Sequence, residues 1–161
     1  MCKSKTGRLQ NIAGHIISKG TEPKIRLVYD ELALYLGYTY TCATLYNNET
    51  VTDQPLTPGQ RLNAALVYEV KGKWKFGSEM YYCSKQSLTN GTIGKDYWLV
   101  GLVAEKIWKH FPLFVNFENF GDVIQTKFEN IYTRSISNPV FKDIYAPLEG
   151  FVVSAVLKIK R

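Results

Sequence analysis

The stretch LALYLGYTYT, residues 32–41, alternates between two kinds of side chain. Every second residue from Leu32 to Tyr40 is leucine or tyrosine, and the residues between them are mostly alanine, glycine or threonine. Successive side chains of an extended chain point to opposite faces of a sheet, so this alternation predicts a strand with one apolar face. Such a face lies in the core of a soluble protein, whereas in a membrane barrel it contacts lipid.

The same alternation recurs in seven stretches along the chain. They cover residues 16–29, 32–45, 61–70, 74–83, 97–108, 113–120 and 151–160. Most are about ten residues long or longer, which exceeds the roughly 5–6 residues of an average strand. A strand of about ten residues is long enough to cross a bilayer at a tilt. The pattern predicts an all-β protein with unusually long strands.

Short and long connections alternate between these predicted strands. Three connections are short enough for tight turns: Asp30-Glu31, Lys71-Gly72-Lys73 and Lys109-His110. The others are long: residues 46–60, 84–96 and 121–150. This alternation is typical of an antiparallel up-and-down meander in an outer-membrane barrel, which has short periplasmic turns and long external loops.

The composition excludes several classes of protein. The chain has 161 residues, enough for one domain, and its aromatic content of 14% favours strands. Its net charge is +6, but lysine and arginine are scattered rather than clustered, so no nucleic-acid partner is expected. No run of about 18 apolar residues predicts a membrane-spanning helix, and no secretory signal is recognisable at the N-terminus.

The few cysteines and histidines do not predict a metal site or a disulfide. Cys2, Cys42 and Cys83 have no metal-ligand spacing, and His15 and His110 are far apart in the sequence. The strand phases place Cys42 and Cys83 on opposite faces, so these two cysteines are not expected to form a disulfide. We expect no cofactor.

Aromatic residues mark both ends of the predicted strands. Tyr68, Trp74 and Trp108 lie beside the short turns. The opposite ends, toward the long loops, carry another set: Tyr38, Tyr40, Tyr82 and Trp98. Leucine, valine and alanine fill the space between the two sets. Two aromatic belts around an aliphatic band are typical of the two membrane–water interfaces, so the apolar face is predicted to contact lipid.

Polar residues define the opposite face of the predicted strands. We expect five of them to face the lumen of a barrel: Asn63, Glu69, Glu79, Asn116 and Glu118. In the long loop at residues 121–150, four aromatic residues are candidates for stacking on a substrate: Phe128, Tyr132, Phe141 and Tyr145. The alternative is that these rings pack the loop against its neighbours.

Several motifs resemble one known family. The segments GHIISKG and LYLGYTYT come first, QPLTPGQRLN precedes the third predicted strand, and NFENFGD follows the sixth. Together they resemble the C-terminal part of TonB-dependent outer-membrane receptors, most closely those of Bacteroidetes-type bacteria. The likeness includes Leu56-Thr57-Pro58, which is followed by Arg61-Leu62-Asn63, and the turn Asn119-Phe120-Gly121-Asp122. Gly121 replaces a residue that is usually bulky, and the C-terminal Lys158-Ile159-Lys160-Arg161 lacks a terminal aromatic residue.

The resemblance implies a fold, a location and a function. It implies that residues 12–161 are the C-terminal part of a transmembrane β-barrel in the outer membrane of a Gram-negative bacterium, after a tail at residues 1–11. Such receptors have about 22 strands around a plug. They import bulky nutrients, such as siderophores, cobalamin or oligosaccharides, with energy from TonB. The chain lacks the plug and the TonB-contact motif, so we expect it to be a fragment that begins in mid-barrel.

Two other functions remain as alternatives, and no catalytic motif is visible. The length also suits a small soluble barrel of the lipocalin type that binds an apolar ligand, although the Gly-x-Trp of that family is absent near the first strand. The other alternative is a pore subunit that closes its barrel by forming oligomers. We expect no enzymatic activity under any of these interpretations.

Overall fold

The computed structural model describes residues 2–3, 9–10, 14–47, 50–108 and 111–158. Most of the predicted tail at residues 1–11 lies outside these ranges. The Lys109-His110 turn and residues 159–161 also lie outside them. The described residues consist of strands, turns and a short 3-10 helix, Gln125–Lys127. The predicted all-β fold is confirmed.

Nine strands form one antiparallel sheet. They are β1 (Gly14–Thr21), β2 (Lys24–Tyr29), β3 (Leu32–Asn47), β4 (Thr50–Asp53), β5 (Gln60–Val70), β6 (Trp74–Cys83), β7 (Tyr97–Ile107), β8 (Pro112–Glu118) and β9 (Val152–Leu157). The order across the sheet is β9, β8, β7, β6, β5, β3 and β1, and both β2 and β4 also pair with β3. The long strands β3, β5, β6, β7, β8 and β9 pair in the order in which they occur in the chain, so the up-and-down meander is confirmed.

The strands β1 and β2 continue each other along one edge of β3. Thr21 lies opposite Tyr40, and Lys24 lies opposite Gly37, so the register does not change between the two strands. Pro23 interrupts the ladder because proline has no N–H to donate, but its carbonyl accepts a hydrogen bond of 3.1 Å from the Tyr38 N–H. The predicted strand at residues 16–29 is therefore two segments that share one register.

The predicted connection at residues 46–60 contains a strand. Because β3 extends to Asn47, beyond the end of β5, its free edge pairs with β4, and Thr44 lies opposite Asp53. Thr50, Val51 and Thr52 are β-branched residues that favour this extended conformation. The Gln54 N–H still donates to the Ala43 carbonyl at 2.9 Å. The chain then leaves the edge of β3 and returns at Gly59, whose carbonyl accepts a hydrogen bond of 2.9 Å from the Thr41 N–H.

The register fixes two faces of the sheet. We call one of them the apolar face. It extends from one aromatic belt to the other, and its side chains are register partners across the strands. Its side chains are Ile25, Leu27, Tyr29, Leu32, Leu34, Leu36, Tyr38, Leu62, Ala64, Leu66, Tyr68, Val70, Trp74, Phe76, Ser78, Met80, Tyr82, Trp98, Val100, Leu102, Ala104, Lys106, Leu113, Val115, Phe117, Val153, Ala155 and Leu157. The opposite side, the mixed face, carries charged, polar and small side chains. The phases predicted from the sequence are correct on these strands.

No layer covers the apolar face in the described part of the chain. Leu27 is 57% exposed, Leu66 is 40% exposed and Leu157 is 56% exposed. The accessible surface is 12137 Å², whereas a compact monomer of 18.4 kDa has about 8,200 Å². The buried hydrophobic cluster of the described residues lies instead in the long loops, where it contains Leu88, Tyr145 and Ala146.

Candidate functional site

One aromatic belt lies at the loop end of the apolar face. Tyr38 lies opposite Leu62, which in turn lies opposite Tyr82, and Tyr82 lies opposite Trp98. The register therefore places these four side chains in a single row across four strands. The Tyr82 and Trp98 rings are 4.7 Å apart between centroids. Tyr40 lies two residues beyond Tyr38 on the same side of β3 and is 46% exposed.

The second belt lies at the turn end of the same face. Trp74 stacks on Phe76 with 5.6 Å between ring centroids, and Trp108 contacts Phe111 at 5.0 Å. Tyr68 lies opposite Phe76 in the register. The eight residue steps from Trp74 to Tyr82 on β6 span about 27 Å of extended chain. At the tilt of barrel strands this is about 20 Å of depth, close to the apolar band of an outer-membrane barrel.

The five candidate lumen residues all lie on the mixed face. Asn63 and Glu69 lie on this face of β5, and Glu79 lies on it in β6. Asn116 and Glu118 lie on the same face in β8. All three carboxylates among them have partners close by. Glu69 forms an ion pair with Lys75 at 3.7 Å. Glu79 accepts a hydrogen bond from the Tyr81 hydroxyl at 3.3 Å, and Glu118 accepts one from the Asn116 amide at 2.8 Å.

Small residues leave a hollow in the middle of the mixed face. Its volume is about 300 Å³, and its lining includes Ala65, Gly77 and Gly101. Val103 and Glu79 cover the two glycines, because a Cβ at Gly77 would lie 2.5 Å from Val103 Cγ1 and one at Gly101 would lie 2.8 Å from Glu79 Oε1. The centre of the mixed face is therefore a hollow lined mainly by small and apolar side chains, and Val103 and Glu79 occupy the space beside the two glycines.

The two longest loops pack together over the loop end of β6, β7 and β8. Gln125 is fully buried at their centre. Its amide nitrogen donates to the Asp143 carbonyl at 2.8 Å, and its amide oxygen accepts from the backbone N–H groups of Tyr145 at 2.9 Å and Ala146 at 3.1 Å. We call this assembly the loop core. It is built around a polar residue, which hydrophobic periodicity does not reveal.

The structure separates the four aromatic loop candidates into two pairs. Tyr145 is 9% exposed in the loop core, where Phe128 packs against the same cluster. Burial raises the pKa of the Tyr145 hydroxyl, which accepts a hydrogen bond from the Lys95 N–H. These two rings therefore pack the loops together, which was the alternative interpretation. Tyr132 and Phe141 lie opposite each other in a two-residue ladder, and they are 40% and 70% exposed.

The Asn119-Phe120-Gly121-Asp122 turn ties the two ends of the long loop together. Asn119 and Asp122 both have positive φ angles, 47° and 49°. The Asn119 amide donates to the carbonyls of Val123 and Glu149, at 2.8 Å and 3.0 Å, and accepts from the Val123 N–H. The Asp122 carboxylate accepts from the Phe151 N–H at 3.0 Å. These bonds give the motif a structural role.

A salt bridge reinforces this turn. The Lys127 ammonium donates both to the Asp122 carboxylate and to the Asp122 carbonyl. The hydrogen bond from Lys127 to the carboxylate, together with the one from the Phe151 N–H, lowers the pKa of the Asp122 carboxyl below its ordinary value of 3.8. We call the contacts of Asn119 and Asp122 with residues 149–151 the loop clasp.

The segment with the Leu56-Thr57-Pro58 motif borders a cleft of about 600 Å³ at the loop end. The Leu56 N–H donates to the Ser87 carbonyl at 2.9 Å, and Leu56 has a positive φ of 58°. Tyr40, Tyr82 and Asp96 contribute to the lining, and the Tyr82 hydroxyl donates to Asp96 at 3.3 Å. The cleft is open and polar, and it lies above the loop-end belt.

The sequence predicts no metal site, disulfide or membrane-spanning helix, and the described residues bear on each of them. The described ranges have no cluster of three or more histidine, cysteine or acidic residues that could hold a metal ion. Cys42 and Cys83 are free thiols, on opposite faces as predicted. No helix within those ranges is long and apolar enough to span a membrane.

No protein-family model matches the chain. No curated protein is significantly similar to it either.

Proposed function

We propose that this chain forms part of the wall of a transmembrane β-barrel in the outer membrane of a Gram-negative bacterium. The observation that supports this most strongly is the apolar face, which is exposed between two aromatic belts. Water would solvate such a face at a cost of about 25 cal/mol for each Å² of apolar surface, whereas lipid tails solvate it favourably. The aromatic rings would lie at the two interfaces, where indole and phenol groups contact both lipid and water.

The mixed face would then line the lumen, and the long loops would be external. The amides and carboxylates of Asn63, Glu79 and Asn116 would contact water or a plug inside the barrel. The exposed pair Tyr132 and Phe141 would be available to stack on a substrate at the external surface. With the motif resemblance, this arrangement supports a TonB-dependent receptor that imports a bulky nutrient and catalyses no reaction.

The open edges of the sheet support a barrel larger than these strands. Among the described residues, β9 pairs with β8 alone, and β1 and β2 pair with β3 alone. Backbone groups on the outer edges of β9 and β1 would be unpaired in lipid, at several kcal/mol each. Further strands would satisfy them, and the plug and the TonB contact would belong to other segments of the receptor.

Lipid-borne quenching at two adjacent residues tests the proposal. After the native cysteines are replaced by serine, Leu66→Cys and Val67→Cys each carry one fluorophore, and each protein is reconstituted into vesicles with nitroxide on the lipid tails. We expect strong quenching at position 66, on the apolar face, and weak quenching at position 67, on the mixed face. Ile136→Cys, at a loop residue that is 85% exposed, provides the aqueous control.

Weak lipid-borne quenching at position 66 would overturn the proposal. If position 66 is protected from lipid-borne quencher while position 67 is accessible to aqueous iodide, the apolar face lies inside a soluble barrel. That result would favour the lipocalin-like alternative.

A further inference from the structure

Lys106 is the charged residue of the apolar face between the two belts. Trp74 lies opposite Lys106 in the register on one side, and Leu113 lies opposite it on the other. The Lys106 ammonium nitrogen lies 3.4 Å from the centroid of the Trp74 ring and 5.8 Å from that of the Trp108 ring. A cation over two indole faces is held by the ring quadrupoles at the turn end of the face.

Two more lysines lie next to this cation. Lys71 and Lys73 flank Gly72 in the exposed turn between β5 and β6. The Ile107 N–H donates to the Lys73 carbonyl at 2.9 Å, so this turn adjoins the end of β7 that carries Lys106. We call Lys71, Lys73 and Lys106 the turn-end lysines. Lys71 and Lys73 lie three residues and one residue before Trp74 in the chain, so all three lysines belong to the turn end of the sheet.

The nearby carboxylates do not neutralise these charges. Glu69 and Glu105 lie on the mixed face, and Glu69 pairs there with Lys75 at 3.7 Å. Asp30 and Glu31 occupy the neighbouring turn, on the far side of β5. None of the ion pairs found in the described ranges includes a turn-end lysine. Within the described ranges the turn-end lysines therefore lack an ion-pair partner, and they lie next to an aromatic belt.

We propose that the turn-end lysines bind the phosphate groups of anionic phospholipids. This inference rests on the proposed function, which places the turn-end belt at a membrane–water interface. A lysine at that depth extends its ammonium group toward the headgroups while its methylene groups remain among apolar neighbours. An anionic headgroup supplies the negative charge that the protein does not provide, and the attraction amounts to roughly 1 kcal/mol per lysine near the surface.

Binding to vesicles of two compositions tests this inference. The full chain, diluted from detergent, is titrated with phosphatidylcholine vesicles and with mixed phosphatidylcholine–phosphatidylglycerol vesicles, and tryptophan emission reports insertion. We expect tighter binding to the anionic vesicles, with a preference that declines as salt is added. Lys106→Gln should reduce this preference about fivefold, the effect of roughly one cation at an anionic surface, and Lys106→Arg should retain it.

Lys75→Gln is the matched control. It also removes one positive charge at the turn end of the sheet, on β6 and one residue from Trp74, but on the mixed face. We expect it to retain the preference for anionic vesicles. Circular dichroism of each variant confirms that the strand content is unchanged before the affinities are compared.

The other outcomes distinguish a failure of the inference about the turn-end lysines from a failure of the proposed function. Equal binding of the native chain to both compositions, or equal losses in Lys106→Gln and Lys75→Gln, would overturn the inference about the turn-end lysines and leave the proposed function intact. If the native chain bound neither kind of vesicle, the proposed function would fail together with the inference.

Discussion

At the residue scale, one amide side chain holds the loop core together. Gln125 is fully buried, and its two polar atoms satisfy three backbone groups from residues 143–146. A buried hydrogen-bonding group left without a partner costs about 1–3 kcal/mol, so the loss of this one amide would affect several groups at once. Few apolar residues of the loop core are buried enough to compensate.

We therefore predict that Gln125→Ala disorders the loop core while the sheet persists. Hydrogen exchange should show lost protection at the amides of Tyr145 and Ala146, with protection in β6 and β7 unchanged. Thr126→Ala, at the adjacent exposed position, is the control and should retain native protection. Native protection in Gln125→Ala would show that the side chain contributes little to the loop core.

At the element scale, the loop clasp makes the order of the long loop depend on pH. The pKa of Asp122 is lowered by the Lys127 ammonium and then by the Phe151 N–H. Because the folded-state pKa lies below the ordinary value of 3.8, the ionised carboxylate stabilises the clasp above pH 3.8. That stabilisation is lost as the pH falls through the folded-state value.

We expect the protection factor of the Phe151 amide to decrease in acid below pH 3.8, when the Asp122 carboxylate is protonated. Asp122→Asn should weaken protection at neutral pH and remove this acid dependence. Glu149→Gln removes another exposed carboxyl from the same loop and should leave the dependence in place. An unchanged acid profile in Asp122→Asn would assign the transition to other carboxylates.

The strands could be predicted from the sequence, whereas the loop core could not. Alternation along β5 and β6 determined the positions of the strands and the faces of Leu66 and Glu79, because side-chain direction repeats every two residues. The loop core has no repeating pattern. Its central residue, Gln125, is of a polar type that is mostly exposed in proteins, and its partners are backbone groups that any sequence carries. Residues 50–53 were missed for a different reason, since a four-residue strand is too short to show alternation.

At the scale of the whole molecule, the exposed area predicts behaviour in solution. The accessible surface of 12137 Å² exceeds the value of about 8,200 Å² for a compact monomer of this mass. We predict that the chain self-associates in buffer without detergent and becomes a single defined species in micelles. Size-exclusion chromatography with light scattering distinguishes the two. A monodisperse, cooperatively unfolding monomer in plain buffer would contradict the membrane assignment.

The order of the strands also bears on how such a protein can change in evolution. The long strands β3, β5, β6, β7, β8 and β9 pair in the order in which they occur in the chain. Duplication or deletion of one hairpin would leave every other ladder in its original register, because no strand depends on a distant segment for its partner. Genes that encode this architecture can therefore gain or lose two strands in one step, and the width of the sheet can vary while the pairing of the other strands stays the same.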